Sequence, residues 1–597
     1  MLKNHNIIPV ILLIISMISC KNNTKTDKGD SKILINHVSY QIGQPKRLVF
    51  QTQSDKAPEK FRILDKKGKT VYESAFEKGG KISQWHTGNA YAGDFTELNT
   101  EGQFYIITDY NDQTIKSESF VISGNKIRNE CLPLLIQGFQ TERCAPPYDT
   151  KDRKMSFFGQ RNDTVDVHGG WYDASGEKGK YLSHLCFSNY FNPQQTPMVV
   201  WNMLESAELY SGSGQEKDKK LLKELLDEAV YGSDFLVRMQ DKEGYFYTNV
   251  FAGWTADPDQ REICAFEGQD GKRTEDYQAA FREGGGISIA ALARTAKTGI
   301  TGDYDPETYL NTAIKGFDHL LKYNMKYVDD GKENIIDKYT ALLAATELFN
   351  TTGEKKYLEH ARNFAKELTG YLRSDGKYDS WWSADSDGKR PYFHAAEAGL
   401  PLISLYRYLQ IEKDDNFRDM AISAINKSVN HEIKITGEVN NPFGYARQYV
   451  KSPGSEKYAS FFIPHKNETG YWWQGEDARL ASLAAAFNLV SPYLDPDIKK
   501  KAREYALNQI NWILGLNPYD ACMLEGIGRN NPDYQEGGKS KNYTGGICNG
   551  ITGGFDNESD IAFKPLPQND DESQRWRWSE QWIPHSAWFI LAVSSID

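Results

Sequence analysis

The sequence predicts a multidomain protein, an N-terminal immunoglobulin-like β-sandwich followed by an all-α (α/α)6 toroid. Three observations predict it. From Lys32 to about Ser123, apolar residues alternate in short runs such as RLVFQT and GQFYIITD, separated by Gly, Asp, Asn and Pro, the pattern of a small sandwich. After GNKIRN the apolar spacing lengthens to the helical period and recurs in about a dozen segments. Long non-helical insertions around 145–195, 245–284, 373–392, 437–475 and 515–579 hold most of the Trp, Gly and Asp. A chain of 597 residues exceeds one ordinary core, although closed helical barrels run long.

At the N-terminus, Lys3 precedes the apolar run IIPVILLIISMI, and Ser19 stands before Cys20. The run is too short for a bilayer span of about 20 residues and reads as a signal peptide. The residues around Cys20 resemble a bacterial lipobox, which implies a lipoprotein signal over 1–20, cleavage before Cys20 and lipidation of its thiol. The alternative is a secretory signal cut elsewhere, with Cys20 discarded. Residues 21–31 are polar and read as a tether. The expected location is the cell envelope, on its periplasmic or surface side, with membrane contact through the lipid alone. Six further cysteines, Cys131, Cys144, Cys186, Cys264, Cys522 and Cys548, include no CxxC pair, so buried thiols compete with disulfides and zinc is not expected.

The sandwich is placed at 32–123 with a packing role; carbohydrate binding is the weaker reading, because Trp85 is its only tryptophan. The helical domain is placed at 127–597, with helices starting near 129, 196, 219, 285, 306, 336, 355, 393, 416, 476, 496 and 580. Helices paired by short links suggest six hairpins, and the long loops would gather at one end of the toroid, where ligands bind.

A formal charge of −11 without a basic patch argues against nucleic acid. A monomer acting on a polysaccharide or oligosaccharide is expected, and no cofactor is required. The acidic stretches DPDQ and SADSDGK fit no EF-hand loop, so a structural calcium is unsupported. The glycines of REGGGISIAAL match no phosphate loop and point to tight helix packing or a substrate-facing turn.

Chemistry concentrates in two stretches. HGGWYDASGEKGKY sets Asp173 and Glu177 beside Trp171 and Tyr172 on a glycine-framed loop, and RWRWSEQWIPHSAW sets Glu580 among four tryptophans, including Trp578 and Trp582. Carboxylates facing each other across aromatic walls are the equipment for glycosidic bond hydrolysis, one acid protonating the leaving oxygen and one base activating water. Trp254, Trp381, Trp382, Trp472, Trp473 and Trp576 also lie in Gly- or charge-flanked loops. Trp171, Tyr172, Trp472, Trp473, Trp578, Trp582 and Arg529 are the candidate substrate-binding residues. His394 and Glu397 lie at helical spacing, where a satisfied core histidine outweighs a ligand at the barrel mouth, and Asp477 reads as a helix-start acid or a cleft residue.

ILINHVSYQIGQPKRLVF, CLPLLIQGFQTERCA, GGWYDASGEKGKY and INWILGLNPYDACMLEGIG leading to SEQWIPHSAWFILAV together resemble glycoside hydrolase family 9, in the subgroup with an N-terminal immunoglobulin-like domain. The resemblance implies an (α/α)6 barrel and inverting hydrolysis, most often of β-1,4-linked glucans. It also implies that the GGWYDAGD-type loop supplies two acids to hold and deprotonate water. Asp173 matches the first. Glu177 is the counterpart of the second only after one inserted residue, most simply Ser175, and an Asp-to-Glu change. Glu580 matches the late general acid, although Ser579 also makes it a plausible first-turn charge behind a helix cap. A His-Arg pair common in the family is absent after GLNPYDACMLEGIG, leaving Arg529, Asn531 or Lys539 as substitutes. Two rival readings remain: a carbohydrate-binding protein that kept the fold and lost activity, and a polysaccharide lyase.

Overall fold

The computed structural model describes residues 31–211, 216–536 and 539–596. Cys20 and the proposed signal segment lie outside them.

The alternating runs pair into two sheets. One has the order β1 (Ser31–Leu34), β3 (Arg47–Thr52), β7 (Asn89–Asp94), β6 (Gly80–Lys81). The other runs β2 (Tyr40–Gln41), β10 (Phe120–Ser123), β8 (Gly102–Tyr110), β4 (Lys60–Asp65), β5 (Thr70–Ala75), with β9 (Gln113–Lys116) also on β8. Residues two apart point to the same face, so Leu48 and Phe50, Phe61 and Ile63, Phe104 and Ile106, and Phe120 and Ile122 meet in one core.

Trp85 belongs to neither a sugar site nor that core. It is buried among Phe461, Phe462 and Trp512 of the helical domain, with ring centroids 4.8, 6.1 and 6.3 Å away. Beside it Asn36 Nδ2 donates to Asn511 Oδ1 at 2.8 Å, and the His37 ring meets Asp520 at 3.0 Å. The sandwich is thus packed on Phe461 and Phe462, on the helix end at Asn511 and Trp512, and on Asp520 just beyond it.

Fourteen helices are described beyond the sandwich. Two are short, α2 (Tyr148–Asp152) and α13 (Glu572–Ser579), and twelve build the toroid. The inner ring is α3 (Thr196–Tyr210), α5 (Gly285–Thr298), α7 (Ile335–Thr352), α9 (Leu400–Ile411), α11 (Asp477–Val490) and α14 (Ile583–Ser594), each packed on the next and α14 closing on α3. The outer partners are α4 (Glu216–Arg238), α6 (Pro306–Tyr327), α8 (Lys355–Thr369), α10 (Asp415–Gly437), α12 (Pro496–Ile513) and, for α14, the first helix α1 (Lys126–Glu142).

Periodicity separates the two layers. In α8 only Tyr357, Ala361, Ala365 and Leu368 are buried, one stripe facing inward, whereas α7 is buried on every side from Ile335 to Leu348. Small residues permit this crowding: a Cβ added to Gly286 of α5 would sit 2.7 Å from Cβ of Thr340 on α7. REGGGISIAAL is therefore a tight-packing segment. Helix ends follow ordinary capping. Asn334 and Asp337 form a capping box before α7, and Gly353 at φ 71° ends it.

Five of the six inner helices begin directly after a long insertion, which gathers those loops at one mouth. Toward the other end, a buried ionic cluster spans four inner helices. Glu347 of α7 accepts from Trp201 Nε1 of α3 at 3.0 Å, from Arg407 of α9 at 3.0 and 3.1 Å, and from Arg294 of α5 at 3.3 Å, and Glu205 pairs with both arginines. Burial pushes the Glu347 pKa up, but Arg407 and Arg294 outweigh it and hold it at about 2. Its stabilising contribution is present above the ordinary value of 4.5 and lost as pH falls toward 2.

All six cysteines are buried free thiols. Among the described residues no helix is long and apolar enough to cross a membrane, and no cluster of His, Cys, Asp or Glu is arranged to hold a metal ion.

Glu347→Ala leaves two buried guanidinium groups without their central partner, and chemical denaturation should report a loss of about 3–5 kcal/mol at neutral pH.

Candidate active site

The loop from His168 to Tyr181 stands on a buried ionic foundation. Asp152, the last residue of α2, accepts from Arg261 Nε and Nη2 at 2.9 and 2.8 Å and lies 2.7 Å from Lys180 Nζ. Lys180 also donates to the carbonyls of Val167 and Gly169, both at 2.7 Å, and Arg261 donates to that of Lys178. Both ends of the loop are thus tied to one carboxylate. Burial pushes the Asp152 pKa up, yet Lys180 and Arg261 hold it below the usual range. Gly170 at φ 74° supplies the bend, and a Cβ there would lie 2.9 Å from the Phe235 ring.

The same loop is stitched to the C-terminal segment. Ala174 and Trp582 form an antiparallel bridge. Ser175 N donates to Gln581 O at 2.8 Å, Gln581 N donates to Ser175 Oγ at 3.0 Å, and Ile583 N donates to Asp173 O at 3.0 Å. Ser175 Oγ donates in turn to Asn542 Oδ1 at 3.1 Å. Ser175 therefore joins the two acid-bearing stretches.

Asp173, Glu177 and Glu580 line one cavity of about 650 Å3. Asp173 is buried, with Oδ1 accepting from Gln195 Nε2 and Oδ2 from Trp582 Nε1 and His184 Nδ1, both at 3.1 Å. A carboxylate has about four acceptor positions, so about one remains for a ligand or water. Glu177 has a single weak donor, Tyr181 OH at 3.5 Å. Glu580 leaves α13 in an extended conformation, its carbonyl accepting from Asn549 N at 2.8 Å. Ser579 ends α13 rather than capping α14, so the first-turn reading of Glu580 does not hold.

The three carboxyls sit in different electrostatic environments. Burial raises the Asp173 pKa, opposed by the hydrogen bonds from His184 and Trp582. Burial and then the Asp173 charge bring Glu177 up to about 7. Burial, then Glu177 and Asp173, push Glu580 well above the carboxylate range, with Lys541 pulling back. One group is thus placed to hold a proton while its neighbour takes one, the division that acid-base catalysis needs.

Of the seven expected substrate contacts, Trp472 and Trp582 line the cavity, and four other aromatic residues and Arg529 do not. Trp171 is fully buried, its Nε1 donating to Glu228 at 2.9 Å and its ring against Phe139 and Tyr231. Tyr172 is buried with its hydroxyl on the Ala145 backbone. Trp473 is held between His465, at 3.6 Å, and the Arg577 guanidinium, at 3.9 Å. Trp578 is fully buried and donates to Thr552 Oγ1 at 2.9 Å. Arg529 pairs with Asp520 beneath the sandwich domain. These five are structural; their flanking glycines and charges mimic a loop surface that packing then covers. Asn531 and Lys539 do not line the cavity either. His394 is a buried residue whose Nδ1 accepts from Ala396 N and Glu397 N at 3.1 and 3.2 Å, and Asp477 is buried outside the cavity.

Residues that the sequence did not single out for the site complete it. Gln195 and His184 hold Asp173, Lys541 faces the acids, and Tyr181, Trp254, Tyr471 and Trp576 line the cavity. Trp254 and Tyr471 are 48% and 45% exposed there, unusual for such large rings and suited to a flat ligand. The signal for His184 was its place three residues beyond Tyr181 in the same insertion.

Acids divided in this way along an aromatic cavity define a site of the carbohydrate-hydrolysing class. The chain matches the glycosyl hydrolase family 9 model over residues 129–541 and the cellulase N-terminal ig-like domain model over residues 28–113. It belongs to glycosyl hydrolase family 9 and is a glycoside hydrolase with an N-terminal immunoglobulin-like domain.

Among similar proteins is the cellodextrinase of Butyrivibrio fibrisolvens, 24% identical over 379 residues, covering 58% of this chain and 63% of that one. Endoglucanase D of Acetivibrio thermocellus is 21% identical over 566 residues, covering 87% of this chain and 77% of that one. A metagenome-derived family 9 endoglucanase shares the fold at a TM-score of 0.62 and 16% identity, over 94% of this chain and 98% of that one. The family 9 endoglucanase J30 does so at 0.63 and 18%, over 93% and 99%.

Ser175→Ala removes the hydroxyl between Gln581 N and Asn542 Oδ1 and leaves a buried donor and acceptor unmatched. Urea unfolding should show a loss of about 1–3 kcal/mol.

Proposed function

We propose that the protein is an inverting glycoside hydrolase cleaving a β-linked polysaccharide or oligosaccharide of the β-1,4-glucan type. Glu580 acts as the general acid, and Asp173 and Glu177 handle the attacking water. The observation that carries this reading is the meeting of the three carboxyls in one aromatic-lined cavity, with Glu177 and Glu580 in different electrostatic surroundings. The relatives named cellodextrinase and endoglucanase support a glucan substrate.

Glu580 protonates the leaving glycosidic oxygen. Water held at the open acceptor position of Asp173 attacks the anomeric carbon from the opposite side, and Glu177 takes its proton. Inversion follows because the water and the leaving oxygen occupy opposite faces of the sugar. Asp173 is already held by three donors, so its share is to fix the water, and the lightly bonded Glu177 is the proton acceptor. The longer Glu177 side chain and the inserted Ser175 act as a pair: the insertion is locked to Gln581, which supports an active loop over one that only binds. At the N-terminus we infer export and lipid anchoring through Cys20, a reading that rests on the residues of the signal segment.

Purified protein should release reducing ends from at least one of β-glucan, xyloglucan, mannan or chitosan oligosaccharides. Glu580→Gln should be about 100- to 10,000-fold slower. Binding without release would indicate a carbohydrate-binding protein, and ultraviolet-absorbing products a lyase. Proton NMR of the first product should show the inverted anomer; a retained one would exclude this assignment of roles.

The pH profile of kcat/KM should rise through about 7 as Glu177 loses its proton and fall at higher pH as Glu580 loses its own. Glu177→Gln should abolish the acidic limb along with most of the activity.

A further inference from the structure

We propose that His184 is a substrate-binding residue whose Nε2 hydrogen-bonds a ring hydroxyl of the sugar under attack, forming one subsite with the open face of Trp254. This rests on the reading of the cavity as a glycoside-cleaving site and assigns it a polar anchor.

The ring of His184 lines the cavity with its Nδ1 committed to Asp173 Oδ2 at 3.1 Å. A carboxylate only accepts, so Nδ1 carries a proton and the tautomer question concerns Nε2 alone. Among the described residues no protein group hydrogen-bonds Nε2. Ring orientation is fixed on several sides: Tyr181 lies at 4.8 Å, Trp254 is nearly parallel at 6.1 Å and 24°, and the edge of Phe266 is at 5.7 Å. Burial disfavours the imidazolium, whereas the hydrogen bond and charge of Asp173 and the charge of Glu177 favour it and raise the pKa; a sugar hydroxyl both donates and accepts, so Nε2 can bond it with or without a proton of its own.

Trp254 is held in the same manner. Its Nε1 donates to Gln269 O at 3.0 Å, and its ring sits edgewise on Phe251 at 4.9 Å and Phe266 at 5.7 Å, yet 48% of the residue stays exposed at the cavity. An indole whose polar atom is satisfied by the protein offers only its flat face. A fixed flat face beside a fixed hydrogen-bonding nitrogen matches a pyranose, which has an apolar ring face and equatorial hydroxyls. Because His184 is bonded to the carboxylate that holds the water, the sugar it reaches is the one whose anomeric carbon is attacked.

Both side chains come from the β elements next to the catalytic loop. β11 (Lys180–Tyr181) pairs with β12 (Asn249–Phe251), which pairs with β13 (Glu262–Glu267) and on to β14 (Lys272–Thr274). His184 follows β11 and Trp254 follows β12, so the sheet sets their separation.

Two substitutions separate the ring nitrogens. His184→Asn keeps a donor near the Nδ1 position for Asp173 and loses the hydrogen-bonding group at Nε2; His184→Gln keeps a polar group near Nε2 and loses the donor at Nδ1. The probe is 4-nitrophenyl β-cellobioside and its forms deoxygenated singly at C2, C3 or C6 of the glucosyl unit bearing the aglycone. In the wild-type protein one deoxygenation should lower kcat/KM about 10- to 100-fold, as for a buried hydrogen-bonding group left unpaired. His184→Asn should show that loss on the parent substrate and no further loss on that analogue, and His184→Gln should remain sensitive to it. Equal sensitivity of all three proteins to every deoxygenation would overturn the assignment and leave His184 acting only through Asp173.

A second measurement needs no change at His184. In Glu580→Gln protein carrying 15N-histidine, cellotetraose should shift the His184 Nε2 resonance, and an unchanged resonance at saturation would also overturn the assignment. Wild-type protein inert on every glycan of the panel above would remove the underlying reading, and the subsite with it.

Discussion

The short antiparallel pairing between Asp173–Ser175 and Gln581–Ile583 is the constraint on which the site depends. It joins segments about 400 residues apart, and α14, which starts within it, closes the inner ring against α3 and α1. Closing the barrel and bringing Glu580 to the loop of Asp173 and Glu177 are therefore one event. The Trp582 indole makes this explicit, since its Nε1 ends on Asp173 itself. Pairing at such sequence distance carries a large loop-closure cost, and the intervening helices meet it by packing in sequence order around the ring.

The two ends of the toroid divide labour by charge. At the end away from the loops, Glu205 and Glu347 are matched by Arg294 and Arg407, and the ionic cluster joins four helices. At the mouth, Asp173, Glu177 and Glu580 crowd together with less compensation from His184 and Lys541, and their pKa values rise. Repulsion among acids costs stability and makes proton transfer possible. The foundation of Asp152, Lys180 and Arg261 bears that cost locally by tying the loop backbone down.

Much of this was legible in the residues. The change in apolar spacing after Asn125 marks the domain boundary, and eleven of the twelve toroid helices begin within about three residues of where the periodicity places them. The least accurate is α9, expected near 393 and found at Leu400, because His394 and Glu397 carry helical spacing through a buried but irregular segment. Asp173, Glu177 and Glu580 stood out because carboxylates framed by glycine and tryptophan are rare. The tryptophans were harder. Trp171 and Trp578 have the same kinds of neighbours as Trp254, yet the first two are fully buried and the last half exposed. Local composition does not say which side of a loop another segment will cover.

Order along the chain, through its periodicity and its acid-bearing motifs, is sufficient to predict a sandwich followed by a helical toroid and to nominate its three acids, because secondary structure and core burial respond to near neighbours. The partner of each polar group was decided only by folding. Gln195 reaches Asp173 across 22 positions, Trp582 across 409, and Ser175 meets Gln581 across 406. Hydrogen bonds and pKa shifts act over a few ångströms of space, and contacts so distant along the chain leave no periodic trace in it.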